Sequence, residues 1–126
     1  MTAYVWVALG GALGSVARYW ASTLAVAAFG ASFPWGTLIV NVVGSLIIGV
    51  AGAMAAPETR WTMPDDVRTF VMVGICGGFT TFSSFSLQTY ALLLEGEVFR
   101  AVANTVLSVV LCLLAVWAGY AAASRL

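Results

Sequence analysis

Four long apolar stretches fill almost the whole chain, and only one charged residue, Arg18, falls more than three residues inside any of them. An apolar run of about 20 residues crosses the hydrocarbon layer of a bilayer as a helix. The stretches predict spans at about 3–29, 35–56, 67–94 and 98–123, which consume most of the 126 residues. The expected fold is therefore all-α and integral to the membrane, a single domain over residues 1–126 made of four transmembrane helices. An even number of spans puts both termini on one side.

The connectors fit this layout. Gly30-Ala-Ser-Phe-Pro34 leaves room only for a tight turn, and Pro34 suits the start of a helix, so the first two spans form an antiparallel hairpin. Pro57 to Asp66 is a polar loop, and Glu95-Gly-Glu97 is an acidic turn. The amino terminus lacks a basic region before its first apolar stretch, so that stretch is expected to be retained and not cleaved as a signal. The expected protein is multi-pass, with the lipid bilayer as its first partner; the resemblance given below implies the inner, or plasma, membrane of a prokaryote.

Charge excludes several functions. Charged residues make up 8% of the chain, against roughly 25% in soluble domains, and net charge is zero with no lysine and no histidine. Nothing here supplies the basic face that nucleic acid requires. No Asp, Glu or His lies within a span, so no intramembrane group carries a proton or binds a cationic drug. The serines and threonines have no accompanying base to activate them, so an enzyme is not expected. Cys76 and Cys112 sit in apolar stretches, where a free thiol behaves as a small buried hydrophobe; a disulfide or metal site is the alternative.

Loop arginines normally fix orientation. Arg60, Arg68 and Arg125 fall on the side of the termini, with Arg100 and the nearby Arg18 on the other, a bias of three against two. So weak a bias predicts insertion in both orientations, which permits an antiparallel dimer; one-way insertion is the competing outcome. Gly10 and Gly14, and likewise Ser45 and Gly49, are spaced four apart, which lets helices approach closely in lipid.

The third stretch carries the most unusual run, Gly74-Ile-Cys-Gly-Gly-Phe-Thr-Thr-Phe-Ser-Ser-Phe-Ser86. Three glycines followed by a Ser/Thr-rich stretch predict a helix broken at the glycines in mid-membrane, with an ion site around Gly77 to Thr81. Irregular backbone at that depth must face protein or a wet cavity, and its freed groups are a recurring way to hold ions. A packing kink with hydroxyls bonded back to their own backbone is the alternative. Phe82 and Phe85 share a helical face, and aromatic edges carry partial positive charge that attracts an anion. Ser83, Ser84 and Ser86 place hydroxyl donors beside them. Asn41, mid-way along the second stretch, either donates to an anion or bonds another helix. Arg18 is either a vestibule residue that concentrates anions or a donor to backbone carbonyls.

These stretches resemble the Fluc/CrcB family of prokaryotic fluoride channels along essentially the whole chain. The resemblance rests on Gly10-Gly-Ala-Leu-Gly-Ser-Val-Ala-Arg18, Gly36-Thr-Leu-Ile-Val-Asn-Val-Val-Gly-Ser45 and the run Gly74 to Ser86. It implies an antiparallel, dual-topology homodimer that lets fluoride leave the cell passively. It also implies a structural sodium ion, held by main-chain oxygens of Gly77 and Thr80 from both subunits. The implied fluoride pathway comprises Phe82, Phe85, Asn41, Ser83, Ser84, Arg18 and Ser108. In the fourth stretch the match is looser, and Asn104 and Cys112 occupy further positions of interest. A small proton-coupled exporter of cationic drugs is the runner-up, and a non-transporting membrane assembly subunit is the third reading.

Overall fold

The computed structural model describes residues 1–126. Helix α1 spans Thr2–Phe29 and α2 spans Trp35–Ala55. The third span comes in two pieces. Its first piece, α3, runs without interruption through Asp65–Arg68, Thr69–Cys76 and Gly77–Phe79, and the middle of it has the wider turns of a π-helix. Its second piece is α4, Phe82–Leu94, and α5 covers Val98–Ser124. The fold is all-α, with the third helix broken.

Local chemistry sets the ends. Gly30, at φ 81°, turns the chain out of α1 while its N–H donates to the Val26 carbonyl at 2.9 Å. Only glycine adopts that conformation without strain. Gly96, at φ 78°, makes the corresponding reversal between α4 and α5.

Trp35–Ala55, Asp65–Leu94 and Val98–Ser124 are each long and apolar enough to cross a membrane. Helix α1 is more diluted by glycine, hydroxyl residues and Arg18, yet its 28 residues extend about 42 Å and it lies alongside α3. Only 19 of 126 residues are buried, while Leu13, Val16, Trp20, Leu113 and Trp117 are all more than half exposed. Such a surface suits hydrocarbon and not water. The protein is a multi-pass membrane protein.

The helices pack as α1 on α3 and α2 on α5, through glycine. A methyl group added at Gly10 would come within 2.5 Å of the Phe70 carbonyl oxygen, and one at Gly78 within 2.5 Å of the Gly11 carbonyl oxygen. Gly14 abuts the Ile75 carbonyl in the same way. Where α2 crosses α5, Gly49 sits on Val116 and Gly119 on Leu46, backbone to backbone. Ser45 lines a cavity, while Gly49 finds its small partner, Gly119, on the other side of the crossing.

Candidate functional site: the interrupted third span

The break falls at Thr80 and Thr81, whose backbones are extended at φ −81°, ψ 156° and φ −152°, ψ 108°. This corrects the expectation that the glycines break the helix. Gly77 is helical at φ −63°, ψ −37°, and Gly74 and Gly78 are spent on the close approach to α1. Glycine lowers the cost of leaving a helix but offers nothing to bond to outside it, whereas a threonine hydroxyl competes for backbone groups. Thr80 Oγ1 donates to the Cys76 carbonyl at 2.8 Å, beside the Thr80 N–H at 3.0 Å, and so ends α3. Thr81 Oγ1 accepts the Ser84 N–H at 3.2 Å and caps α4. The Thr80 methyl group occupies the space that a side chain on Gly44 would need.

Asn41 holds the break from α2. Its Oδ1 accepts the Thr81 N–H at 2.7 Å and its Nδ2 donates to the Thr81 carbonyl at 3.1 Å. One amide thus serves both backbone groups of the break residue, as a neighbouring β-strand would. Four carbonyls, those of Gly77, Gly78, Phe79 and Thr80, lose their usual helical donors at the break, and Arg18 serves that of Gly78. The Thr81 N–H that would close a turn on Gly77 goes to Asn41, and the Ser84 N–H that would serve Thr80 goes to Thr81 Oγ1. The carbonyl oxygens of Gly77 and Thr80 are left available for another partner.

Two concavities flank the break, and Thr81 lines both. A cavity of about 460 Å³ gathers Asn41, Gly77, Thr80, Phe82, Phe85 and Ser108. The Phe82 and Phe85 rings lie 5.3 Å apart, tilted by 47°, with Phe82 77% exposed. Ser108 is 8% exposed. Cys76 and Cys112 are free thiols on the same cavity. The second concavity, about 760 Å³, contains Arg18 and Ser84 together with Gln88, Glu95 and Arg100. Arg18 Nε donates to the Gly78 carbonyl at 3.1 Å, so Arg18 both ties α1 to the break and faces this cleft.

The serine hydroxyls divide. Ser84 Oγ accepts from Thr81 Oγ1 at 3.1 Å, and Ser83 Oγ, exposed, lies 3.3 Å from the same oxygen. Ser86 donates back to the Phe82 carbonyl at 2.9 Å, leaving its proton engaged within its own helix.

Sequence reasoning missed the roles of three residues here. Thr81 is the hub of the break, a role that depends on Asn41, 40 positions away. Gln88 lines the cleft with its Oε1 buried and without a hydrogen-bond partner. Thr89 joins α4 to α5 through Asn104 at 2.9 Å. Thr81 left a trace beforehand as one end of the expected ion site, and Asn104 as a polar residue in an apolar span, but neither pairing did.

The family model for CrcB-like protein, camphor resistance (CrcB), matches residues 5–120. A relative from Opitutus terrae named fluoride-specific ion channel FluC is 57% identical over 123 residues, 98% of this chain and 93% of its own length. One of the same name from Rhodospirillum rubrum is 56% identical over 120 residues, 95% of this chain and 93% of its own. A third, from Methylocella silvestris, is 51% identical over 95% of this chain and 92% of its own. With a broken third helix, glycine-packed spans and likeness along nearly its full length, the chain belongs to the CrcB family.

Proposed function

We propose that the protein is a fluoride-selective ion channel through which fluoride leaves the cell passively, lowering its cytoplasmic concentration. The observation that carries this reading is the break at Thr80–Thr81, beside which two phenyl rings and the buried Ser108 hydroxyl line one cavity that holds no carboxylate. It joins the fluoride named in the relatives to a place where an anion finds partners.

The pathway runs past Phe82, Phe85, Asn41, Ser83, Ser84 and Ser108, with Arg18 at its mouth. A small anion leaving water needs donors, and several weak ones let it move on. Ring edges offer a weak positive field, while hydroxyls and the second Nδ2 hydrogen of Asn41 offer donors. Arg18 keeps guanidinium hydrogens beyond the one on Gly78, and its charge raises the anion concentration in the cleft. Nothing is chemically transformed.

The working unit is an antiparallel homodimer of dual topology. Its support is an unpartnered face at the break: a methyl group at Gly77 would meet no atom within 4 Å, Phe82 is largely exposed, and Ser83 and Ser86 are exposed polar groups poorly suited to lipid. A second copy covers them. The near balance of arginines is consistent with insertion both ways.

Sodium suits this centre. No cluster of three or more His, Cys, Asp or Glu exists anywhere in the chain, so a metal here depends on other oxygens. The Gly77 and Thr80 carbonyls are hard donors released from their helix, and unwound carbonyls are a recurring sodium site in membranes. They would hold the ion, which would supply a fixed positive charge at the break; the residues themselves orient the rings.

Reconstitution in liposomes tests the reading. Fluoride efflux is expected down its gradient, with chloride efflux far slower and no response to an imposed proton gradient. Drug-dependent proton release would establish the exporter in its place, and silence with every ion would favour an assembly subunit.

A further inference from the structure

We infer that Asn104 is a positioning residue that, paired with Asn41, brackets the ring-bearing half-helix α4 and so keeps Phe85 on the cavity. Asn104 lies on α5 and is 1% exposed, buried more completely than every apolar core side chain but Val40 and Ala53. Its Nδ2 donates to Thr89 Oγ1 at 2.9 Å, and that hydroxyl donates in turn to the Phe85 carbonyl at 2.7 Å. Its Oδ1 lies 3.5 Å from Ser108 Oγ. A hydrogen bond of that length is weak, so the Ser108 proton is only loosely engaged.

The bracket matters because α4 is poorly held otherwise. Leu92 is its one buried residue, and the Thr89–Asn104 bond is the only side-chain hydrogen bond joining α4 to another helix. At its other end, the cap residue Thr81 is held by Asn41 from α2. Phe82 and Phe85 fall between these two points, which are about 12 Å apart along the axis. One amide fixes where α4 begins and the other fixes its rotation. Asn104 is all but fully buried and lines neither concavity, so it acts through Phe85 and Ser108 and touches no ion.

The functional consequence rests on the pathway proposed above, but the geometry does not, and the test separates them. Fluorinated phenylalanine at position 85 reports ring environment by ¹⁹F NMR in detergent, independently of transport. Asn104→Leu and Thr89→Val each delete the bond, while Thr89→Ser keeps the hydroxyl. The first two are expected to shift or broaden the Phe85 signal and to slow fluoride efflux about three- to twenty-fold, the range that an interhelical side-chain hydrogen bond commands in a bilayer. Thr89→Ser is expected to match the parent in both. If Asn104→Leu does not fold, Thr89→Val decides alone. An unshifted Phe85 signal in Thr89→Val overturns the inference. So does slowed efflux in Asn104→Leu alone, which would make Asn104 an ion contact. A parent protein that passes no fluoride would sink the channel reading while the ¹⁹F result still decides the bracket.

Discussion

Replacing Asn41 with leucine removes both bonds to Thr81 while leaving a side chain of similar reach. The Thr81 N–H, now bonded at 2.7 Å, and its carbonyl, bonded at 3.1 Å, would lose their partners together. An unmet buried polar group costs about 1–3 kcal/mol, so two cost about 2–6 kcal/mol. Thr81 is part-buried and lines both concavities, where water recovers some of this, which places the loss near 2–3 kcal/mol. An ordinary side-chain bond between membrane helices averages about 0.6 kcal/mol, because the unfolded chain finds other partners in lipid. The two cases are therefore distinguishable. Unfolding followed by circular dichroism at fixed protein-to-detergent ratio measures the difference, which corresponds to about a 30- to 150-fold change in the folding constant. Fluoride flux should fall as well, because a freed Thr81 N–H can return to the Gly77 carbonyl and straighten the span. A loss of about 0.6 kcal/mol or less with flux intact would refute the clamp.

Phe82→Ile and Phe85→Ile should each abolish or strongly reduce fluoride efflux while dimer content by cross-linking is unchanged; normal efflux would make the rings packing elements only. Gly14→Val should destabilise the fold by about 2 kcal/mol or more, because the added atoms meet the Ile75 and Phe79 backbones, seen as a lower melting temperature. Gly77→Val, with open space around it in a single chain, should leave the subunit folded but weaken the dimer, read by analytical ultracentrifugation in detergent; an intact dimer would count against this face as the interface. Replacing sodium with a large organic cation should lower conduction or dimer stability without moving the current's reversal potential. A reversal potential that follows the sodium gradient would mean sodium permeates.

Much of the fold was legible because lipid imposes simple rules: apolar length gives helices, and Pro34, Gly30 and Gly96 mark where the chain turns. That the third helix is interrupted was legible too, from the density of glycine and hydroxyl residues. Where it breaks was not. The glycines read as weak points, but Gly74 and Gly78 serve the contact with α1, which exists only once α1 is in place. The break instead depends on Asn41 meeting Thr81 across two helices, a tertiary pairing with no local signature. The same limit applies to Asn104, whose polarity is visible in sequence while its partner Thr89 is not. Arg18 shows how a choice between two readings dissolves in three dimensions, since one nitrogen bonds a carbonyl while the residue still lines the cleft.

Current through a planar bilayer containing the purified protein, with fluoride on one side and chloride on the other, tests the channel reading most directly. The reversal potential should sit close to that set by fluoride alone and stay there when proton or sodium gradients are imposed. A potential set by chloride, or one that moves with either gradient, would contradict a passive fluoride path beside the broken helix.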